Sequence, residues 1–313
     1  MIWYCPTFAG PLFLLYFGLS SQRANGVFSA NFCQLNCGTR VHTLCEKQES
    51  HNCNYKSHKV YGDRELGNMG LRDQLILAHN GLRERIATRM HVTNMVVINW
   101  SKQLSRMAEN WAKFCQPYED DECAHTTMPM TVERLLNITK QNQLEPYIAM
   151  NRFCVKALYL PFEIIQMALH LWYFEKDYMK APHPEAYESL KLAFLSGENN
   201  FTHLAYPLTT RIGCSVANIS PFSLRYDHIF CIFCFYEPYY RHTDGVVFQY
   251  GQPSTHCPPE YPLKDLIFPS MCSRNLYLDA DEESCAAGRI KASAGFSTTY
   301  YCTAIFVLII KYN

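Results

Sequence analysis

Residues Gly70–Met90 read GLRDQLILAHNGLRERIATRM. Leu71, Leu75, Ala78, Leu82 and Ile86 recur at spacings of three and four with arginines between them, which places them on one stripe of an amphipathic helix. Asn68 and Gly70 are suitable starts for that helix. Downstream, WSKQLSRMAENWAKFC (Trp100–Cys115) has the same period, with Ser101 as a cap and Leu104, Met107, Ala108, Trp111, Ala112 and Cys115 as the inward face. A third helix is expected from Pro161, whose fixed φ suits a first turn, with Ile165, Leu169, Trp172 and Tyr173 inward and Lys176 and Lys180 near its end. After about position 205 the period changes to two: RIGCSVA sets Ile212, Cys214 and Val216 on one face, and HIFCIFCFY (His228–Tyr236) is apolar throughout, as a central strand is. Helices first and strands later predict an α+β protein, with helices on the faces of a mainly antiparallel sheet.

The chain is long enough to bury a large core: of its 313 residues, 48% are hydrophobic and 14% aromatic. Basic and acidic residues number 28 each. No net field therefore draws the protein to nucleic acid or to an anionic surface, and nucleic acid is excluded as a partner. Fifteen cysteines fit an oxidising compartment if most are paired. Cys231 and Cys234 form a C-x-x-C inside the aromatic strand, where the strand-to-helix setting of a redox pair is missing, so they read as structural.

PLFLLYFGLSS (Pro11–Ser21) has the length of a signal-peptide core and is followed by small residues, although no cation precedes it. Residues 1–26 are expected to be the leader, with Cys5 leaving with it. Near the other end, YYCTAIFVLII (Tyr300–Ile310) is about half of what a membrane-spanning helix needs, so no transmembrane anchor is expected. Small residues at Ala292–Gly295 before it loosely resemble a lipid-anchor attachment signal. A last buried strand or a ragged tail is preferred to that reading. The segment 27–60 is rich in cysteine and poor in apolar residues, so it is expected to be held by bridges. A main domain over 61–240, a loop-rich extension over 241–285 and a tail over 286–313 complete the expected organisation.

Four separated landmarks resemble the antigen 5 and venom-allergen proteins of insects, members of the CAP superfamily of cysteine-rich secretory, antigen 5 and pathogenesis-related proteins. NFCQLNCGTRVHTLC (Asn31–Cys45) is similar to the family's N-terminal cysteine pattern, and LAHNGLRERIATR (Leu77–Arg89) to its first-helix signature, with His79, Asn80, Arg83 and Ile86. INWSKQLSRMAENWAKFC (Ile98–Cys115) resembles the second-helix signature. NNFTHLAYPLTTRIGCSVA (Asn199–Ala217) and CIFCFYEP (Cys231–Pro238) look like altered versions of the late motifs, keeping Phe201, Thr202, Gly213, Cys214, Cys234 and Tyr236. The resemblance implies an α-β-α sandwich with a disulfide-pinned N-terminal segment and a cysteine-containing C-terminal extension. It also implies the pairings Cys33–Cys45, Cys37–Cys123, Cys53–Cys115 and Cys214–Cys234. Cys257–Cys272 is a reasonable fifth pair, and Cys154, Cys231, Cys285 and Cys302 have no assigned partner.

Many members of that family gather two histidines and two acidic or amide residues in a cleft, a set able to hold a divalent cation. The matching positions here are Asp120, Arg134, Glu175 and Asn200. A fixed cation at Arg134 repels a metal and suits an ion pair with Glu175 or Asp120. With the family's set mostly replaced, no metal, no cofactor and no catalytic residue is expected. His125 is an alternative to Asp120, and Glu175 reads equally well as a solvated helix residue. His125 and His203 read as exposed or hydrogen-bonded loop histidines. No nucleophile-elbow, zinc-protease or P-loop pattern points to an enzyme.

Among the sequons at Asn99, Asn137, Asn200 and Asn218, those at Asn218, placed in a polar turn, and Asn137 are the expected glycan sites. Asn99 adjoins Trp100, taken as buried, and Asn200 falls in the cleft. The function expected from all this is a secreted, extracellular, non-enzymatic protein that binds a protein partner or a small apolar ligand. The rival readings are a hydrolase or metal-dependent enzyme using the cleft, and a degenerate paralogue without cleft function.

Overall fold

The computed structural model describes residues 42–45, 55–114, 118–125, 146–156, 161–178, 187–195, 199–221, 228–240 and 248–274. In chain order its elements are β1 (Tyr55–Tyr61), α1 (Asp63–Asn68), α2 (Leu71–Arg89), β2 (Asn99–Trp100) and α3 (Lys102–Lys113). They continue with β3 (Pro146–Lys156), α4 (Pro161–Phe174), α5 (Tyr187–Leu195), α6 (Asn200–Ala205), β4 (Arg211–Pro221) and β5 (Ile229–Tyr240). A short hairpin of β6 (Leu263–Lys264) and β7 (Cys272–Ser273) follows. One compact unit ends at Ser273.

The main sheet runs β1-β4-β5-β3, antiparallel throughout, and β2 joins β4 in parallel. Side chains alternate across a strand, and β5 shows why its sequence carries no polar break. Phe230, Ile232, Cys234 and Tyr236 enter the core packed with α2, α4, α5 and α6, whereas Ile229, Cys231, Phe233 and Phe235 enter a second core beneath α3. Both faces of the sheet are therefore covered, and the protein is an α-β-α sandwich.

The same alternation sorts the cysteines of β5. Cys231 and Cys234 are three apart, so they leave opposite faces, and each pairs with the residue directly across from it on a neighbouring strand. Cys234 is bonded to Cys214 of β4 and Cys231 to Cys154 of β3. Cys154 and Cys231 thus gain a pairing that the sequence reading did not assign. Cys257 is bonded to Cys272, and Cys45 also lies in a disulfide. Cys33, Cys37, Cys53, Cys115, Cys285 and Cys302 fall outside the described residues, so the remaining pairings stay expectations.

Helix α2 departs from the expected stripe. Leu71, Leu75 and Ile86 are buried, but Ala78 and Leu82 only pack against the core from its margin, while His79, Asn80, Arg83 and Ala87 are inside. The buried face is rotated toward polar residues because each polar head finds partners there. Asn80 donates Nδ2 to the Ile98 carbonyl at 2.9 Å and accepts the Ile98 amide on Oδ1 at 2.8 Å, as a strand partner does. Gly70, at φ +68°, turns the chain out of α1 and caps α2 in a conformation that L side chains rarely adopt.

Residues 55–60, the end of the segment expected to be held by bridges, form with Tyr61 the edge strand β1 against β4. The extension beyond residue 247 is likewise built into the core: Phe248 and Met271 are buried with side chains of α2 and α4, and Cys272 is buried beside them. It is stitched along the loop that follows α2, with Thr93 N to Gln249 O at 2.8 Å, Cys272 N to Met95 O at 2.7 Å and Val97 N to Cys272 O at 3.0 Å. Among the described residues no helix is long and apolar enough to cross a membrane.

Helix α3 lies directly on the sheet at Gly213. A Cβ there would stand 2.0 Å from the Ser105 amide nitrogen and 2.4 Å from the Leu104 carbonyl carbon. Both atoms are backbone, so α3 itself has to move. Gly213→Ala is expected to destabilise the fold by about 1–3 kcal/mol in thermal unfolding. A loss under about 0.5 kcal/mol, the scale of an ordinary surface change, would show that α3 retreats freely.

Candidate functional site

Of the four cleft positions named from the sequence, two meet. Helix α4 ends at Phe174, and Glu175 opens a 3-10 turn, Glu175–Tyr178, instead of sitting on the helix proper. The turn aims its carboxylate at the start of α6. Asn199 caps α6 by accepting the Thr202 amide on Oδ1 at 2.9 Å, which leaves Asn200 as the first helical residue. Asn200 Nδ2 donates to Glu175 Oε1 at 2.6 Å, and the Phe201 amide donates to Oε2 at 3.0 Å. Both carboxylate oxygens are thereby engaged at a helix N-terminus, where a negative charge is favoured.

The pair connects inward to a buried polar chain. Asn151 of β3 donates Nδ2 to the Asn200 carbonyl at 2.8 Å and to the Tyr236 hydroxyl at 3.3 Å. Its Oδ1 accepts from His203 Nδ1 at 2.8 Å. The Tyr236 hydroxyl lies 2.9 Å from His79 Nε2, and His79 Nδ1 lies 2.8 Å from the Leu75 carbonyl. A carbonyl only accepts, so His79 Nδ1 carries the proton and Nε2 accepts from the tyrosine. Burial lowers the His79 pKa to about 4, so the ring is neutral at physiological pH, and burial pushes the Tyr236 phenol well above its ordinary range. Each of these groups gives or takes a hydrogen bond inside the protein.

Asp120 is not in this set. It is exposed, and Arg152 Nε donates to its Oδ1 at 2.7 Å. Arg152 follows Asn151 on β3, so the two side chains leave opposite faces of the strand. Among the described residues Glu175 is met by Asn200 and the Phe201 amide, and Asp120 by Arg152; the expected ion pair of Arg134 with either carboxylate lies outside the described residues. Arg134 and Asn137 lie outside the described residues, as does the side chain of His125. His203, read as a loop histidine, is 7% exposed on α6, its ring edge-on to Tyr239 at 5.0 Å.

Glu175 and Asn200, the two cleft positions that meet, present a carboxylate and an amide N–H turned to each other. An amide N–H of Asn200 is turned to the carboxylate where the family resemblance implies an imidazole ligand, and among the described residues no group of three His, Cys, Asp or Glu is placed to hold a metal ion. Asn151 was missed by sequence reasoning because a lone polar residue on an edge strand belongs to no local motif.

The sequons are also redistributed. Asn218 sits within β4, not in a turn, half-buried and with Oδ1 3.1 Å from His228 Nδ1. The amide of Asn200 is committed to Glu175, and the Thr202 hydroxyl to the α6 cap. Asn99 is exposed, and its neighbour Trp100 is only half-buried, donating Nε1 to Asp63 at 2.7 Å.

The model of the cysteine-rich secretory protein family, CAP, matches residues 76–235, just over half of the chain. Venom allergen 5.02 of Dolichovespula maculata is 29% identical over 108 residues, 31% of this chain and 48% of that protein. Venom allergen 5 of Vespa velutina is 24% identical over 221 residues, 66% and 93% of the respective chains. In the first of these alignments the chain spans about half the length of the relative. A crystal structure of a hookworm platelet inhibitor is similar with a TM-score of 0.44 at 15% identity, over 75% of this chain and 98% of that one.

Proposed function

Since the chain belongs to the cysteine-rich secretory protein family, CAP, and resembles its venom allergens, we propose that it is a secreted binding protein without catalytic activity. It holds a protein partner or a small apolar ligand in the extracellular space. The observation that carries this reading is the Glu175–Asn200 pair: the carboxylate best placed to act as a base or a ligand spends both oxygens on internal donors. Each oxygen keeps a second lone pair, but the two donors fix the carboxylate toward α6, whereas a base or a metal ligand has to direct a lone pair at its substrate or ion. The three cysteine bridges of the sheet and extension support export, because such bonds persist outside the reducing cytosol. Removal of residues 1–26, glycans at Asn137 and Asn218, and a processed tail over 286–313 belong to the same proposal.

Purified secreted protein is expected to carry no stoichiometric zinc, manganese or magnesium by elemental analysis, and Glu175→Ala to leave that unchanged. The same variant strands the Asn200 and Phe201 donors, so its unfolding free energy is expected to fall by about 1–3 kcal/mol. Stoichiometric metal in the native protein, lost in Glu175→Ala, would overturn the reading in favour of a metal-dependent enzyme.

A further inference from the structure

We propose that the tip of the β6–β7 hairpin, Leu263 to Ile267, seats in the acyl–headgroup boundary of a lipid bilayer. Leu266 is 90% exposed and the adjacent Ile267 67%, with Leu263 at 42%. A single exposed leucine needs no explanation, but two consecutive branched aliphatics stripped almost bare on a firmly held turn do.

The turn is clamped from below. Cys257–Cys272 closes its base, and both Glu84 carboxylate oxygens accept the Ser270 amide at 2.9 and 3.0 Å. Thr88 Oγ1 and Ser270 Oγ lie 2.8 Å apart, and Ser254 Oγ donates to the Pro269 carbonyl at 3.1 Å. Side chains this exposed on so fixed a backbone lose little freedom on entering another phase.

The second observation is the state of the turn's amides. Asp265 Oδ1 accepts the amides of Ile267 at 2.9 Å and Phe268 at 2.8 Å. The Asp265 amide donates to the Met271 carbonyl at 3.0 Å and the Met271 amide to the Phe268 carbonyl at 2.9 Å, while Pro269 has no N–H. Counting Ser270, each N–H from Asp265 to Met271 except that of Leu266 has an acceptor within the protein. Surface turns usually leave such groups to water, and an apolar phase penalises those left unpaired.

The scale of the tip favours lipid over a protein surface. A stable protein interface buries about 800 Å² per partner, well beyond what three aliphatic side chains cover. A bilayer sets no such threshold, since each buried methylene adds to binding. Leu266, Ile267 and the exposed part of Leu263 offer fewer carbons than one fatty-acyl chain, so reversible binding weaker than that chain's, which is on the order of 10⁴ M⁻¹, is expected. Lys264 and Asp265 leave the tip without net charge, so the attraction is apolar and survives high salt.

The experiment is flotation of the full-length protein with phosphatidylcholine vesicles at ~0.15 M and ~1 M salt, beside Leu266→Asp/Ile267→Asp. The native protein is expected to float at both salt concentrations and the variant to float at least about tenfold less, with its Cys257–Cys272 bridge and circular dichroism unchanged. Leu266→Trp supplies a readout that involves no loss: its emission is expected to shift to the blue when vesicles are added. Equal flotation of native protein and double variant, or a Leu266→Trp emission indifferent to vesicles, overturns the proposal. So does a double variant that loses retention on cells while neither protein floats, which would assign the tip to a protein pocket.

Discussion

Arg83→Met is expected to lower the unfolding free energy by about 4 kcal/mol, a loss reserved for buried charge networks and large core cavities. The guanidinium is 0% exposed, and all of its partners are main-chain carbonyls. Nη1 donates to Leu204 at 2.9 Å and Tyr206 at 2.6 Å; Nη2 donates to Val96 at 2.7 Å, Pro207 at 3.1 Å and Thr209 at 3.4 Å; Nε reaches Val96 again at 3.3 Å. Desolvation lowers the Arg83 pKa to about 9, so the group stays charged at physiological pH, its charge balanced by carbonyl dipoles instead of a carboxylate. Three of those carbonyls, Tyr206, Pro207 and Thr209, belong to the irregular segment after α6, where, among the described residues, backbone amides reach only Pro207, from Val96 at 2.9 Å, and Tyr206, from Thr209 at 3.4 Å. Methionine fills much of the space but donates nothing, so the carbonyls of Val96, Leu204 and Thr209 lose the guanidinium, while those of Pro207 and Tyr206 keep the amides of Val96 and Thr209. Arg83→Lys is expected to recover only part of the loss, since one ammonium cannot reproduce the planar fork. Chemical denaturation under non-reducing conditions measures both, with exposed Arg64→Met within about 0.5 kcal/mol of native as the control. A loss below about 1 kcal/mol for Arg83→Met would mean that the carbonyls find water or each other.

How much of this was legible in the sequence depended on how far away each residue's partner lies. Ser101 and Pro161 marked their helices because a cap and a first-turn proline act within one turn, and α3 and α4 begin where those residues put them. The unbroken apolar run of β5 was legible because burial on both faces removes the polar beat from any strand. The α2 stripe was drawn too far toward Ala78 and Leu82, since the partners that draw Arg83 inward lie up to 126 residues away in sequence. Cys154–Cys231 was hidden for the same reason. It follows only from the β3–β5 register, which sets Cys154 opposite Cys231 and Asn151 opposite Cys234. In the cleft, family resemblance located Glu175 and Asn200, but the hydrogen bond between them is a property of how the turn after α4 meets the start of α6. That contact joins the turn after α4 to α6, and no local motif encodes it.

Acidification is expected to remove about 3 kcal/mol of stability through His79 alone, between pH 6.5 and about 4. The sign follows from the direction of the shift. Desolvation lowers the folded-state pKa from 6.5 to about 4, with Arg83 adding a smaller push the same way and the Leu75 carbonyl opposing it. The unfolded chain therefore takes up the proton first, so the stabilisation is complete above pH 6.5 and drains away as pH falls toward 4. Protonation also turns Nε2 from acceptor to donor, so the Tyr236 hydroxyl, which already accepts from Asn151, loses the acceptor for its own proton. His42, lowered to about 4 by burial and accepting the Leu44 amide on Nδ1 at 3.2 Å, acts in the same sense. Glu237 opposes both: its carboxyl is raised by burial, against the pull of Arg211, so the folded state binds that proton better and gains from acid. The measurement must therefore be a difference. Unfolding free energies of native protein and His79→Gln, taken by urea denaturation from about pH 7.5 to about 4.5, are expected to converge as pH falls, because the variant starts less stable but lacks the histidine's proton uptake. Parallel curves at every pH would show that His79 is not the group through which acid acts.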